Sequence, residues 1–415
     1  MTVFASIAVP AALREAVSEQ AWLAGMLEAE RALASAEARV GAIPPAAAAA
    51  IADRCRAELF DWAELATQGR AVGNPAEPLA RALRATVGDD AARWVHHGAT
   101  SQDVVDTAAM LVARRALQLI GEELDGATAA AAGLARRHRS TPATARTLLQ
   151  PAVPTTFGLR AAGWLVGLLD AAAGLRGLEL PAQLGGAAGT LAPLGDQGPE
   201  VLRAFARELD LAEPVLPWHA NRVPIARLGA ALDIAAGALA KVALDVILLS
   251  QAEVGEVAEA APGGSSTVPQ KRNPVGSTLA RACAAQVHAH ASVLTGGVHE
   301  LERAAGAWQA EWDALSGALA LTGGAAAAVR QVLEALEVDE ARLLANMTKA
   351  LVAERAAFVL AQTHGREEAH RLVAEAGVEL TGLDLPAEVL DPTTYLGAAE
   401  TFVDRALTRY EEDTQ

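Results

Sequence analysis

Gly263-Gly264-Ser265-Ser266-Thr267-Val268-Pro269-Gln270-Lys271-Arg272-Asn273-Pro274-Val275-Gly276 separates two long stretches of helical character, residues 223–259 and 276–296. Its two glycines open backbone angles closed to other residues, and Pro269 and Pro274 stiffen the path between them. A loop so built presents a hydroxyl oxygen to an anion, with a cation and amides beside it. Ser265 and Lys271 are the candidates for chemistry, and Asn273 for anchoring a carboxylate. Clusters of Gly, Pro, Ser and Asn are usually surface turns, and Ser266 in particular also fits a turn that only bonds its own backbone.

Outward from this loop the chain reads as helix. Hydrophobic residues make up 52% of the 415 residues but aromatic ones only 4%, so the core is Ala, Leu and Val packed helix against helix. Trp22, Met26, Leu27 and Leu33 recur at helical spacing over residues 21–39, and Gly41 with Pro44-Pro45 ends that helix. Further helical stretches are expected over 103–121, 156–174 and 300–329. The run at 244–249 is apolar nearly all round, which calls for neighbours on several sides. We expect an all-α protein with residues 1–100 as an N-terminal helical domain, 101–342 as a central bundle of long helices, and 343–415 as a small C-terminal helical domain.

The net charge of −16 argues against a nucleic-acid partner. Lysine occurs only at positions 241, 271 and 349, so a lysine inside the loop is conspicuous. Cys55 and Cys283 have neither metal-site nor disulfide spacing, which fits a reducing cytoplasm. The first residues, with Arg14, Glu15 and Glu19 among apolar ones, lack a signal-peptide layout, and the charge-free stretch 314–329 is short for a membrane span. His288, His290 and His299 do not form a zinc pattern.

Two more segments carry chemistry-bearing residues. In His97-Gly98-Ala99-Thr100-Ser101-Gln102-Asp103, hydroxyls and amides sit just before a helical stretch, where they and the first helical N–H groups can grip a carboxylate. Thr100 and Asp103 also have capping-box spacing, which needs no ligand. In Arg146-Thr147-Leu148-Leu149-Gln150, the Gln150 amide can both donate and accept.

The loop at 263–276 resembles the signature of the fumarase/aspartase superfamily, with Val268 where methionine is usual. The segments at 97–103 and 146–150 resemble its other two conserved regions. Together with Gln183-Leu184-Gly185-Gly186-Ala187-Ala188-Gly189-Thr190 and Trp308-Gln309-Ala310-Glu311-Trp312, they are most similar to the 3-carboxy-cis,cis-muconate cycloisomerases within it. The resemblance implies a homotetramer built around a long-helix bundle, with active sites shared between subunits and a small polycarboxylate substrate. It makes Ser265 the general base, and Lys271 the group that steadies its alkoxide and the charge developing on an aci-carboxylate. Thr100, Ser101, Gln102, Gln150, Ser266, Asn273 and His97 become substrate contacts. Trp218-His219-Ala220-Asn221-Arg222 also looks like a family segment, with Arg222 suited to a forked carboxylate contact, although Val223-Pro224 replaces the usual Asp-Arg. Trp308, Glu311 and Trp312 at i, i+3, i+4 fit core packing equally well.

Leu148 departs from the lyases of the superfamily that have Thr-His at this point. Leucine delivers no proton. Strongly basic amine or hydroxide leaving groups profit from a general acid, whereas a carboxylate is already stable as an anion near neutral pH. The substitution therefore favours muconate lactonisation. A lyase expelling another weakly basic group, nitrosuccinate lyase-like or adenylosuccinate lyase-like, is the alternative, and a crystallin-like protein without activity is the non-enzymatic one. None of the lactonisation chemistry needs a metal, nicotinamide or flavin.

Overall fold

The computed structural model describes residues 4–261, 263–264, 268 and 270–414, and its architecture is all-α with two short antiparallel strand pairs. The first substantial helix, α1 (Glu19–Arg39), is capped by Ser18, whose Oγ accepts from the Ala21 N–H. Its apolar stripe buries Trp22, Met26 and Leu33, as the spacing predicts. Five long helices follow: α2 (Ser101–Arg137), α3 (Phe157–Arg176), α4 (Val223–Leu249), α5 (Val275–Gly296) and α6 (Ala307–Glu334). At 37 residues α2 is roughly 55 Å long at 1.5 Å per residue.

Small residues let the helices approach closely. A methyl group on Gly25 of α1 would stand 3.2 Å from Ala108 Cβ of α2, and one on Gly229 of α4 would stand 2.7 Å from Leu294 Cβ of α5. This is how a chain poor in aromatics fills its core. Helix α3 has the length and apolarity to cross a membrane, and its Phe157, Trp164, Leu165, Leu168 and Leu169 are buried within the folded chain.

The chain forms two compact units. The first comprises residues 1–123, 173–237 and 282–325, and the second comprises 124–172, 238–281 and 326–415.

Two expectations are corrected. The helix expected over 223–259 stops at Leu249, because the chain turns through Gly255 at φ +62° and the Glu256 N–H returns to Leu249 O. Residues Val257–Glu259 then form a strand, β3 in chain order, paired with β4 (Leu336–Val338). Helix α6 begins at Ala307 rather than near 300, after Gly306 at φ +118°. Ahead of α3, residues for which the sequence carries no strand expectation form a hairpin of β1 (Pro142–Thr147) and β2 (Gln150–Thr156).

Candidate active site

In the first unit the α2 N-terminus is organised by Asp103, a carboxylate only 1% exposed that accepts five hydrogen bonds. Its Oδ2 takes the Thr100 and Gly186 N–H groups at 2.9 Å each, and its Oδ1 takes Gly185 N–H at 2.9 Å, Gln183 Nε2 at 3.2 Å and His219 Nε2 at 2.6 Å. The first of these is half of the capping box, so the capping alternative holds for Asp103. A buried charge needs such compensation, and here it ties two glycine-containing turns together. Both glycines are required by space: a methyl group on Gly186 would stand 2.8 Å from Gly98 O, and one on Gly98 would stand 2.8 Å from Leu194. Gly98 and Gly186 also both adopt φ +69°. Thr100 and Ser101 are left half-buried, and among the described residues neither hydroxyl has a hydrogen-bond partner.

One turn on, Asp106 holds a second buried network. It receives Arg222 Nη1 at 2.7 Å and Nη2 at 3.0 Å, Trp308 Nε1 at 2.9 Å and Gln102 Nε2 at 3.0 Å. The other edge of the Arg222 guanidinium meets Glu311, with Nη2 at 2.5 Å from Oε2, and its face lies over the Trp218 ring. Burial opposes the Arg222 charge, but Asp106 and Glu311 outweigh it and raise its pKa above the ordinary arginine value. The fork assigned to a substrate carboxylate is thus occupied by two carboxylates of the protein. Gln102 is corrected in the same way: its amide N–H groups go to Asp106 and His219 O, and its Oε1 accepts Arg303 Nη1 at 3.0 Å. In this structure Arg222 and Gln102 hold the scaffold that presents Thr100 and Ser101.

His97 stands at the edge of this region with its side chain 27% exposed, and its Nδ1 lies 2.8 Å from Glu37 Oε1. Burial pushes the Glu37 carboxyl up to about 8, and the charge of Glu30 adds to the rise. Burial also lowers the His97 pKa. Both shifts favour the neutral forms, and in that arrangement the Glu37 O–H donates to Nδ1 and the ring proton sits on Nε2. His97 becomes a neutral donor suited to an anion. His96 differs: burial would lower its pKa, but the charge and hydrogen bond of Glu30 more than offset this, and the pKa is raised. Its Nδ1 lies 2.5 Å from Glu30 Oε1.

The second unit carries the other two segments. The β1–β2 hairpin turns at Leu148 (φ +51°) and Leu149 (φ +64°), and Leu148 is 96% exposed. Gln150 begins β2 opposite Thr147 and is exposed. Arg146, beside the turn, forks onto the fully buried Glu256 at 2.6 and 3.0 Å, and Asn346 Nδ2 adds a bond at 2.9 Å. Three residues on, Glu259 accepts the Gly276 and Ser277 N–H groups and the Ser277 hydroxyl, which caps α5 with an anion. The segment 256–259 therefore fastens both the hairpin and the base of the glycine-rich loop.

That loop is closed by an antiparallel bridge, Gly263 N–H to Asn273 O at 3.0 Å and Asn273 N–H to Gly263 O at 3.2 Å. Asn273 Nδ2 reaches Gly264 O at 3.4 Å. Lys271 is exposed, its N–H bonded to Val268 O. Ser265 and Ser266 lie outside the described residues.

The family profile described as Lyase matches residues 8–289. A nitrosuccinate lyase from Streptomyces davaonensis is 46% identical, covering 94% of this chain and 91% of its own. A 3-carboxy-cis,cis-muconate cycloisomerase from Bradyrhizobium diazoefficiens is 42% identical, covering 97% of each. The crystal structure of the 3-carboxy-cis,cis-muconate lactonizing enzyme from Pseudomonas putida superposes with a TM-score of 0.92 at 37% identity over the whole of both chains. The chain belongs to the fumarase/aspartase lyase superfamily.

As a member of this superfamily it is an enzyme of the lyase type, with relatives that act on small carboxylates. Several residues that shape its candidate site carried only a weak sequence signal. Asp106 is a lone charge between Val104-Val105 and Ala108-Ala109, and Glu256 and Glu259 flank the apolar Val257-Ala258 pair. A charge embedded in an apolar run implies a buried partner, and that signal could have found all three.

Proposed function

We propose that the enzyme is a 3-carboxy-cis,cis-muconate cycloisomerase that works by serine acid/base chemistry without a proton donor at the second conserved segment. The observation that carries this is the hairpin tip, where the exposed Leu148, two residues before Gln150, has no group able to protonate a leaving group. A substrate carboxylate oxygen adds to the conjugated double bond, and the displaced electron pair moves toward a neighbouring carboxylate to give an aci-carboxylate. Ser265 delivers a proton to the adjacent carbon, and Lys271 with loop N–H groups balances the transient charge. The lactone has one charge fewer than the open acid, so one proton per turnover comes from solvent through Ser265. Thr100, Ser101, Gln150, Asn273 and the neutral His97 hold the remaining carboxylates, with Ser266 beside the base. The reading includes a cytoplasmic homotetramer with sites shared between subunits, which sedimentation and cell fractionation test.

A second reading is supported by the Streptomyces davaonensis relative at 46% identity: elimination of nitrite from nitrosuccinate. Nitrite is also a weakly basic leaving group that departs without an acid. Purified enzyme offered each compound separates the two. Loss of the diene absorbance of 3-carboxy-cis,cis-muconate is expected. Faster release of nitrite and fumarate from nitrosuccinate would replace the first reading by the second, and turnover of neither would overturn both.

A further inference from the structure

We propose that the first unit carries a second ligand site, a cleft that binds an aromatic carboxylate. The cleft measures about 820 Å³ and lies among α1, α6 and the turn at Gly69–Pro75. The chain has only seven tryptophans, yet Trp22, Trp62 and Trp312 all border this one space. Two of them are held in place: Trp22 Nε1 donates to Ser316 Oγ at 2.9 Å, and Trp312 stands edge-on to Trp308 with ring centroids 4.9 Å apart. Fixed indole faces favour a flat apolar body over a flexible chain.

The polar features favour an anion on that body. Arg14 and Arg70 border the cleft, and neither has an ion-pair partner among the described residues. Two carboxylates also face it. Glu19 sits in the first turn of α1, where the helix N-terminus offsets its charge. Asp313 interacts with His290. Neither Thr100, Ser101 nor Lys271 lines the cleft.

Benzoate is the probe, titrated into the full-length enzyme by tryptophan fluorescence and calorimetry. Saturable quenching is expected, with affinity reduced at least about tenfold in Trp62→Ala and in Arg70→Gln, two positions with exposed surface. Trp312→Phe, which keeps an aromatic face but shortens the ring bordering the cleft, is expected to weaken binding less than Trp62→Ala but measurably. Thr100→Val is expected to keep the parental affinity within about twofold. The proposal is overturned by an absence of saturable binding, by benzylamine binding as tightly as benzoate, or by unchanged affinity in both Trp62→Ala and Arg70→Gln. It is equally overturned if Thr100→Val loses as much affinity as Trp62→Ala, since the probe would then occupy the candidate catalytic site.

Discussion

The acidic network at the start of α2 and the hairpin tip of the second unit put their polar and apolar groups to opposite uses. Around Asp103, Asp106 and Arg222, charges are buried and bonded to one another. At Leu148 and Leu149, two leucines are turned out to solvent in a backbone conformation that leucine disfavours. One region spends its hydrogen bonds on fixing shape, and the other withholds a proton donor where the chemistry is proposed. The groups proposed for recognition, such as Thr100, Ser101 and Gln150, are those the rigid networks leave unbonded or exposed.

The largest effect is expected from Arg222→Ala. It leaves Asp106 and Glu311 buried without their shared cation, a loss of about 3–5 kcal/mol by the usual cost of breaking a buried pair. Urea unfolding measures it, and a loss under about 1 kcal/mol would show that the network is not a stabilising frame. Ser265→Ala comes next and should act on the other side of the comparison. We expect kcat to fall at least about a hundredfold with unfolding unchanged, the usual size of an acid/base contribution. Near-normal turnover would remove Ser265 from the mechanism.

How much of this was legible depends on where the information lies. Helix α1 and helix α5 follow from their apolar spacing within a residue or two, because each buries a continuous stripe. The hairpin was not legible, because its turn residues are Leu148-Leu149 and not the Asn-Gly type that announces a tight turn. Thr100 and Ser101 were legible as a group before a helix. That Gln102 and Arg222 face inward was not, since their partners His219, Arg303 and Glu311 are about a hundred or more residues away. Side-chain pairing over such distances leaves no local pattern.

Glu37 gives a smaller, pH-dependent test of the buried frame. Its pKa of about 8 in the folded chain exceeds the ordinary 4.5, so the native state keeps a proton that the unfolded chain has lost. The associated stability is full below about 4.5 and is lost as pH rises through 8, falling by about 1.4 kcal/mol for each pH unit between those values. Glu37→Gln should remove that loss, so its stability relative to the parent should grow with pH by at least about 1.4 kcal/mol. The lowered pKa of His97 tilts the profile the other way at acid pH, so the clean window lies above about 6.5. The raised pKa of His96 acts in both proteins and cancels. Parallel profiles across that window would mean that Glu37 ionises as an ordinary carboxyl.

Leu149→Gly addresses the tip with the smallest change in energy. A leucine in the left-handed region costs about 1–2 kcal/mol, and glycine returns roughly 0.5–1 kcal/mol of that through its freer unfolded chain. A net stabilisation of about 0.5–1 kcal/mol is expected by thermal unfolding. If strain is retained because this turn sets the direction of Gln150, kcat/KM should fall while stability rises. Stabilisation with unchanged kcat/KM would make the left-handed turn a tolerated accident of the hairpin. The tip would then matter only for lacking a proton donor, and the contrast with the acidic frame would shrink to Leu148 alone.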